Sequence, residues 1–204
     1  MADFRGGAIT LRDDGKARCD WKIEWDHEPE FLRYHDEEWG IPRREPTVVF
    51  EALSLGVFQA GLGWLTVLHK RAAFREAFHG FDPVAVAALT ERDVEALLGN
   101  AAIIRNRAKI EATIANAVVA TTSGTDLADL VWRYAPTEHR SPESLDEVPV
   151  ASEESRALAV ALKSAGYRFV GPTSVYAFMQ SLGIVNDHVR GCFRAPGIGD
   201  AVGS

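Results

Sequence analysis

A chain of 204 residues that is 47% hydrophobic carries enough apolar material for one ordinary core, with at most a small lobe beside it. Its formal net charge of −7 weighs against a non-specific nucleic-acid binder, because such domains are generally basic. Apolar runs such as 115–120 are too short to span a bilayer, the N-terminus is polar rather than leader-like, and two distant cysteines make no disulfide framework. A cytoplasmic, reducing compartment (nucleoid-associated if the source is bacterial), no membrane partner and a monomer are expected.

In chain order, residues 1–17 read as a flexible extension, with Gly6, Gly7, Asp13, Asp14 and Gly15. A compact helical domain is expected over 18–194, and 195–204 reads as a tail. Pro29 opens a short helix that Gly40 and Pro42 close. A second helix runs from Thr47 to about Gln59, and a third from Trp64 to Phe78, closed by Gly80. Pro83 starts a fourth at a position where proline is tolerated, and Thr90 caps a fifth. Arg105 to about Thr121 is long and amphipathic, and shorter helices follow at about 127–134 and 152–165. Pro172 opens the last, through about Leu182. No Asn-Gly or Asp-Gly turn flanked by alternating residues stands out, so the expected fold class is all-α.

Chemistry-bearing residues concentrate in a few places. His188 and Cys192 are four apart, which places them on one face of a helical turn. With Cys19 and His35 they compose a Cys2His2 set suited to structural zinc, although two buried free cysteines acting as small hydrophobes would read the same. Basic residues cluster at His69, Lys70, Arg71 and Arg75, and again at Arg105, Arg107 and Lys109; these serve either a phosphate-binding face or ordinary solvated helix surfaces. Gly61-Leu62-Gly63-Trp64 is a tight turn that can push Leu62 outward. Gly171 precedes a proline that starts a helix, which leaves bare amides for a phosphate.

Four stretches taken together, YHDEEWGIP, QAGLGW, IIRNRAKI and FVGPTSVYAFMQSLGIVNDHVRGC, resemble the DNA-3-methyladenine glycosylase I family of the helix-hairpin-helix superfamily, over roughly Cys19 to Cys192. The resemblance implies a compact all-α fold with a helix-hairpin-helix motif. It also implies a structural zinc on Cys19, His35, His188 and Cys192 that clasps the two ends of the chain. The partner it implies is damaged double-stranded DNA. The activity is monofunctional hydrolysis of the N-glycosidic bond of an alkylated purine, 3-methyladenine above all, flipped out of the duplex. Tyr34, Trp64, Phe31 and Trp21 become pocket walls, and Leu62, with Gly61, becomes the wedge. Gly171 and Thr173 hold a DNA phosphate, with further contacts from Arg105, Arg107 and Lys109. Trp39 and Phe178 are expected to be core rings. Asp187 is a candidate catalytic carboxylate, with the rival role of orienting His188.

The chain departs from the family at Gly56, where the resemblance places a base-reading glutamate. Phe31 also stands where a tyrosine is frequent, Gly63 where a serine is usual, and Ala102 where a glycine is. A glycine cannot accept a hydrogen bond from the exocyclic amine with a side chain. Retained 3-methyladenine excision, a shifted or relaxed lesion specificity, and a non-catalytic lesion-binding protein are therefore the three readings.

Overall fold

The computed structural model describes residues 9–21 and 27–196; the expectations for 1–8 and 197–204 lie outside these residues. Helices dominate it. Proline at the first turn starts α1 (Pro29–Glu37), α2 (Pro46–Gln59), α5 (Pro83–Ala87) and α10 (Pro172–Ser181), where its missing N–H costs nothing. Side-chain caps start four of the others. Thr90 and Asp93 form a reciprocal capping box on α6 (Glu91–Gly99), Asn106 caps α7 (Arg107–Thr122), and Ser152 caps α9 (Glu153–Ser164). Asp82 caps α5 and Asp126 caps α8 (Leu127–Trp132) in the same manner.

The third predicted helix is two. α3 (Trp64–Leu68) stops at His69, and α4 (Arg71–Ala77) begins after Lys70, which has left helical geometry at φ −102°, ψ 0°. The break lets Leu68 join a small aromatic cluster while Phe74 enters the main core.

Residues 9–17 are not a flexible extension. β1 (Ile9–Leu11) pairs antiparallel with β2 (Ala17–Cys19), Ile9 opposite Cys19. The turn between them uses Asp14-Gly15, with Gly15 at φ 77°, so a short Asp-Gly turn signal was present after all. Arg18 explains why so small a hairpin holds its place. Its buried guanidinium makes two bonds to Asp14 (2.6 and 3.0 Å) and two to Asp36 of α1 (2.6 and 2.8 Å). Phe193 adds a backbone bond to Ala17 O, which ties the C-terminal segment to β2.

α2 is apolar nearly all round, burying Val49, Phe50, Leu53, Leu55, Val57 and Phe58, as a central helix must. α10 packs on both α2 and α9, and α7 packs on α2, α5 and α6. The exits of α1 and α10 touch through Gly183, whose added Cβ would lie 2.2 Å from the Ile41 carbonyl carbon. The core falls into two parts. The larger gathers the helices, and the smaller holds Cys19, Tyr34, Trp39, Leu68, Val189 and Cys192; Trp64 packs against both. Among the described residues no helix is long and apolar enough to cross a membrane.

Candidate functional site: an aromatic cleft beside a Cys/His cluster

The ends of the described chain meet at Cys19, His35, His188 and Cys192. All four are buried, and their ligand atoms lie within 4.8 Å of one another. His188 Nδ1 is 3.5 Å from Cys19 Sγ and 3.4 Å from Cys192 Sγ, and His35 Nε2 is 3.6 Å from Cys192 Sγ. A tetrahedron with Zn–S of about 2.3 Å and Zn–N of about 2.0 Å has nitrogen–sulfur edges of about 3.5 Å. The donor set therefore fits such an ion. The outer contacts fit as well, because each ring gives one nitrogen to the cluster and donates the other N–H to oxygen. His188 Nε2 donates to Trp39 O at 3.0 Å, and His35 Nδ1 donates to Asp36 Oδ1 at 2.8 Å. Arg18 in turn fixes Asp36. Without a cation the two thiols cannot share the site as a double anion. The hydrogen bond between them pushes Cys192 down and Cys19 up.

Beside this cluster lies a cleft of about 170 Å³, room for one planar ring system. The five residues expected of a base pocket, Trp21, Phe31, Tyr34, Gly56 and Trp64, all line it. Tyr34 and Trp64 stand at 5.1 Å between ring centroids, Phe31 is nearly parallel to Tyr34 (12°), and Trp21 is 4.9 Å from Phe31. Trp39 and Phe178, expected only as core rings, are buried and also reach this cleft. Burial raises the Tyr34 phenol well above its ordinary range, so it remains a protonated donor. The Trp64 indole N–H is buried without a partner among the described residues. Among the described residues no carboxylate lines the cleft. A Cβ added at Gly56 would meet nothing within 4 Å, so the position opposite the aromatics is open.

The Cys/His cluster and the cleft are joined by α1. Tyr34 faces the cleft and His35 the cluster, from adjacent positions of one helix. At the other end of α2, the turn 60–63 presents Leu62, 43% exposed, with Gly61 at φ 78°. Lys109 explains its placement: the buried ammonium donates to Phe58 O (2.8 Å) and Ala60 O (2.7 Å), the last carbonyls of α2. Burial alone lowers its pKa.

The expectation that Lys109 contacts phosphate is therefore corrected, since its donors are committed inside the protein. Arg107, also expected at a phosphate, pairs with Glu91 and Glu95 of α6 and with Glu111 of its own helix. Arg105 is exposed. The other basic cluster dissolves too, with Arg71 on Glu38 and Glu51, Arg75 on Glu51, His69 on Glu28, and Lys70 on Ala102 O. Asp187, expected either as a catalytic carboxylate or as the partner that orients His188, is engaged elsewhere. It lies outside the cleft and makes no bond to His188. Its carboxylate takes hydrogen bonds from Tyr176 (2.7 Å), Gln180 (2.7 Å) and His139 (3.1 Å). Burial pushes its pKa up, and these donors outweigh burial and hold it low.

Residues 165–171 join α9 to α10 as a tight connection. Asn116 of α7 brackets its backbone, accepting from Arg168 N (2.8 Å) and donating to Arg168 O (3.2 Å). Phe169 sits at φ 59° with its ring exposed, Gly171 precedes α10, and Thr173 is exposed in the first turn. Arg168 and Asn116 escaped the sequence reading. The only available signal was a basic residue at the tip of YRFVGP.

Relatives make this arrangement recognisable. The sequence pattern of the methyladenine glycosylase family matches residues 24–195. The DNA-3-methyladenine glycosylase 1 of Escherichia coli K12 is 44% identical over 185 residues, 88% of this chain and 97% of its own. A crystal structure of a 3-methyladenine DNA glycosylase I superposes with a TM-score of 0.82 at 46% identity, covering 88% of this chain and 100% of the other. A tyrosine-to-phenylalanine variant of such an enzyme, solved in complex with 3-methyladenine, reaches a TM-score of 0.81 at 28% identity, over 88% of this chain and 98% of its own. A pattern match over most of the chain, agreeing with a fold match of the same extent, shows that this chain belongs to the methyladenine glycosylase family.

Proposed function

We propose that this chain is a monofunctional DNA glycosylase that hydrolyses the N-glycosidic bond of 3-methyladenine flipped out of damaged duplex DNA. The observation that carries this reading is the cleft lined by Trp21, Phe31, Tyr34 and Trp64, one base in size and, among the described residues, free of carboxylates. Base-excision chemistry must take its target out of the stack and enclose it. Methylation at N3 makes the purine cationic, and aromatic faces attract a cation by about 1–2 kcal/mol. That attraction selects the damaged base over neutral ones. It adds nothing to the chemical step, because the positive charge vanishes as the bond breaks. The cationic leaving group needs no strong acid, which suits a cleft whose one titratable wall is a protonated Tyr34 phenol. Water is the nucleophile. Among the described residues no lysine lines the cleft, so no Schiff-base lyase step is expected.

In this reading Trp64 stacks on the base, and Leu62 fills the gap the base leaves. α9, the 165–171 connection and α10 act as the helix-hairpin-helix, holding a phosphate at the amides near Gly171 and Thr173. Arg168 and Arg105 are the exposed cations on hand for further backbone contacts. Cys19, His35, His188 and Cys192 hold a structural zinc. Four protein ligands leave no open position, so the ion supplies cross-linking rather than chemistry. It stands one residue from Tyr34 and so fixes a wall of the cleft.

Duplex DNA treated with a methylating agent and incubated with the protein is expected to release 3-methyladenine, resolved by chromatography, and to leave abasic sites with an intact backbone. Tight binding to abasic DNA with no methylated purine released would overturn the reading. Metal analysis of the purified protein is expected to return one zinc per chain.

A further inference from the structure

Gly56 leaves the cleft without the side-chain acceptor that would hold an exocyclic amine, yet one amide in the cleft is held in a fixed orientation. Gln180, on the last turn of α10, lines the same cleft as Gly56, Tyr34 and Trp64. Both its ends are anchored. Its backbone carbonyl accepts from Gly40 N at 3.0 Å, and its side-chain Nε2 donates to Asp187 Oδ2 at 2.7 Å. An amide flips freely when its surroundings do not distinguish oxygen from nitrogen. Here the same carboxylate oxygen also accepts the Tyr176 hydroxyl at 2.7 Å, so it takes donors and excludes the amide oxygen. The nitrogen is therefore committed to Asp187. The oxygen, Oε1, accepts no hydrogen bond among the described residues, and it is the atom left for a ligand.

We propose that Gln180 is the base reader of this chain, its Oε1 accepting from the exocyclic amine of the flipped 3-methyladenine, with Asp187 as the positioning residue that keeps the acceptor turned outward. The proposal rests on the glycosylase reading and deepens it. Ser181 and Gln59 also reach the cleft but suit the role less. The Ser181 hydroxyl is turned onto Phe178 O at 2.8 Å, and Gln59 ends α2 beside the Leu62 turn with no side-chain bond to orient its amide.

The test is binding of free bases to the full chain, followed by quenching of its tryptophan fluorescence. The probes are 3-methyladenine and 3-methylhypoxanthine, which differ in having an amine or a carbonyl at the same carbon. The native chain is expected to prefer the amine by on the order of ten-fold, the usual effect of one satisfied polar contact in a closed site. Gln180→Met keeps length and apolar packing and is expected to abolish that preference while leaving 3-methylhypoxanthine binding within about two-fold. Asp187→Asn, which lets the amide turn over, is expected to erode the preference in part. Adding Gly56→Glu to Gln180→Met is expected to restore it, since that position is open. A loss of both bases in equal proportion would mark Gln180 as merely structural and overturn the proposal. So would a native chain with no preference, a measurement that needs no variant to fold. If 3-methyladenine is released from DNA but Gln180→Met retains the native preference, this inference fails and the glycosylase reading stands. If neither base binds and none is released, both fail.

Discussion

The Cys/His cluster and the aromatic cleft share α1 yet are built to opposite rules. At the cluster each imidazole has an oxygen partner, and the chain Arg18–Asp36–His35 is closed on itself by bonds of 2.6–2.8 Å. In the cleft, by contrast, the Trp64 N–H and one end of the Gln180 amide have no partner among the described residues, and Gly56 leaves open space. A satisfied polar network resists change, and an unsatisfied one waits for a ligand. Stability should therefore be lost at the cluster and activity at the cleft, and substitutions can be chosen to break that division.

The largest effect is expected at the cluster. Removing zinc with a chelator, or replacing Cys19 or His188 by alanine, should cost roughly 3 kcal/mol or more, because a structural zinc contributes on the order of 10 kcal/mol to small sites. For a chain of this length that is a fall in Tm of about 10 °C, readable by calorimetry. The amides of 9–21 should exchange sooner than those of α2. A chelated protein that keeps its Tm would show the cluster to be an ordinary buried contact. Lys109→Met comes next. It strips two carbonyls of their partner at the end of α2, for about 1–3 kcal/mol, and it should also slow excision by loosening the Leu62 turn. An unchanged urea midpoint would count against the assigned capping role. Leu62→Ala reverses the pattern. The side chain is 43% exposed, so stability should move by less than about 0.5 kcal/mol. Excision from duplex DNA should fall on the order of ten-fold, and excision from single strands should not, since only the duplex requires a wedge. Equal losses on both substrates would remove the wedge role.

The same division runs through what the sequence makes legible. Helix starts could be read at Thr90, Ser152 and the prolines Pro29, Pro83 and Pro172 because capping chemistry is local, complete within four residues. Half of the metal set could be read as His188 and Cys192, one helical turn apart. Cys19 and His35 could be named only as the remaining donors of a possible set, and the family likeness made that set specific, because they reach the first pair across more than 150 residues. Three charged residues illustrate what stays hidden. Arg107, Lys109 and Asp187 carry charges suited to phosphate or catalysis, and each is consumed by partners from other parts of the chain. A sequence displays a charge without its counter-charge. Gln180 went unnoticed for the converse reason, since a glutamine near the end of a helix has no value as a signal until Asp187 and the cleft appear on either side of it. Gly56, like Phe31 a departure from the family pattern rather than a match, was flagged as chemically odd, and a Cβ added there would meet nothing within 4 Å.

Asp187 lies between the two regions, next to His188 in the chain and bonded to Gln180 in the cleft, and its third partner gives the smallest expected effect. The hydrogen bond to Asp187 raises the His139 pKa, against the opposing pull of burial. A histidine raised on folding stabilises fully below its unfolded value of about 6.5, and that contribution is lost as pH rises through the folded value. Asp187, lowered on folding, contributes above the ordinary carboxylate range and loses that contribution as pH falls. The pair is therefore worth most between about pH 5 and 6. His139→Gln keeps a donor for Asp187 and removes the charge. Urea midpoints measured from pH 5 to 9 should converge with those of the native chain at the alkaline end and diverge toward pH 5.5. The difference between the curves isolates His139 from the other histidines. Parallel curves would mean that the ion pair carries no stability. Because Asp187 keeps both Tyr176 and Gln180 in this variant, base release per folded molecule should stay at the native level. The effect would then belong to the network's fold-facing side, and the cleft-facing amide would remain as it was.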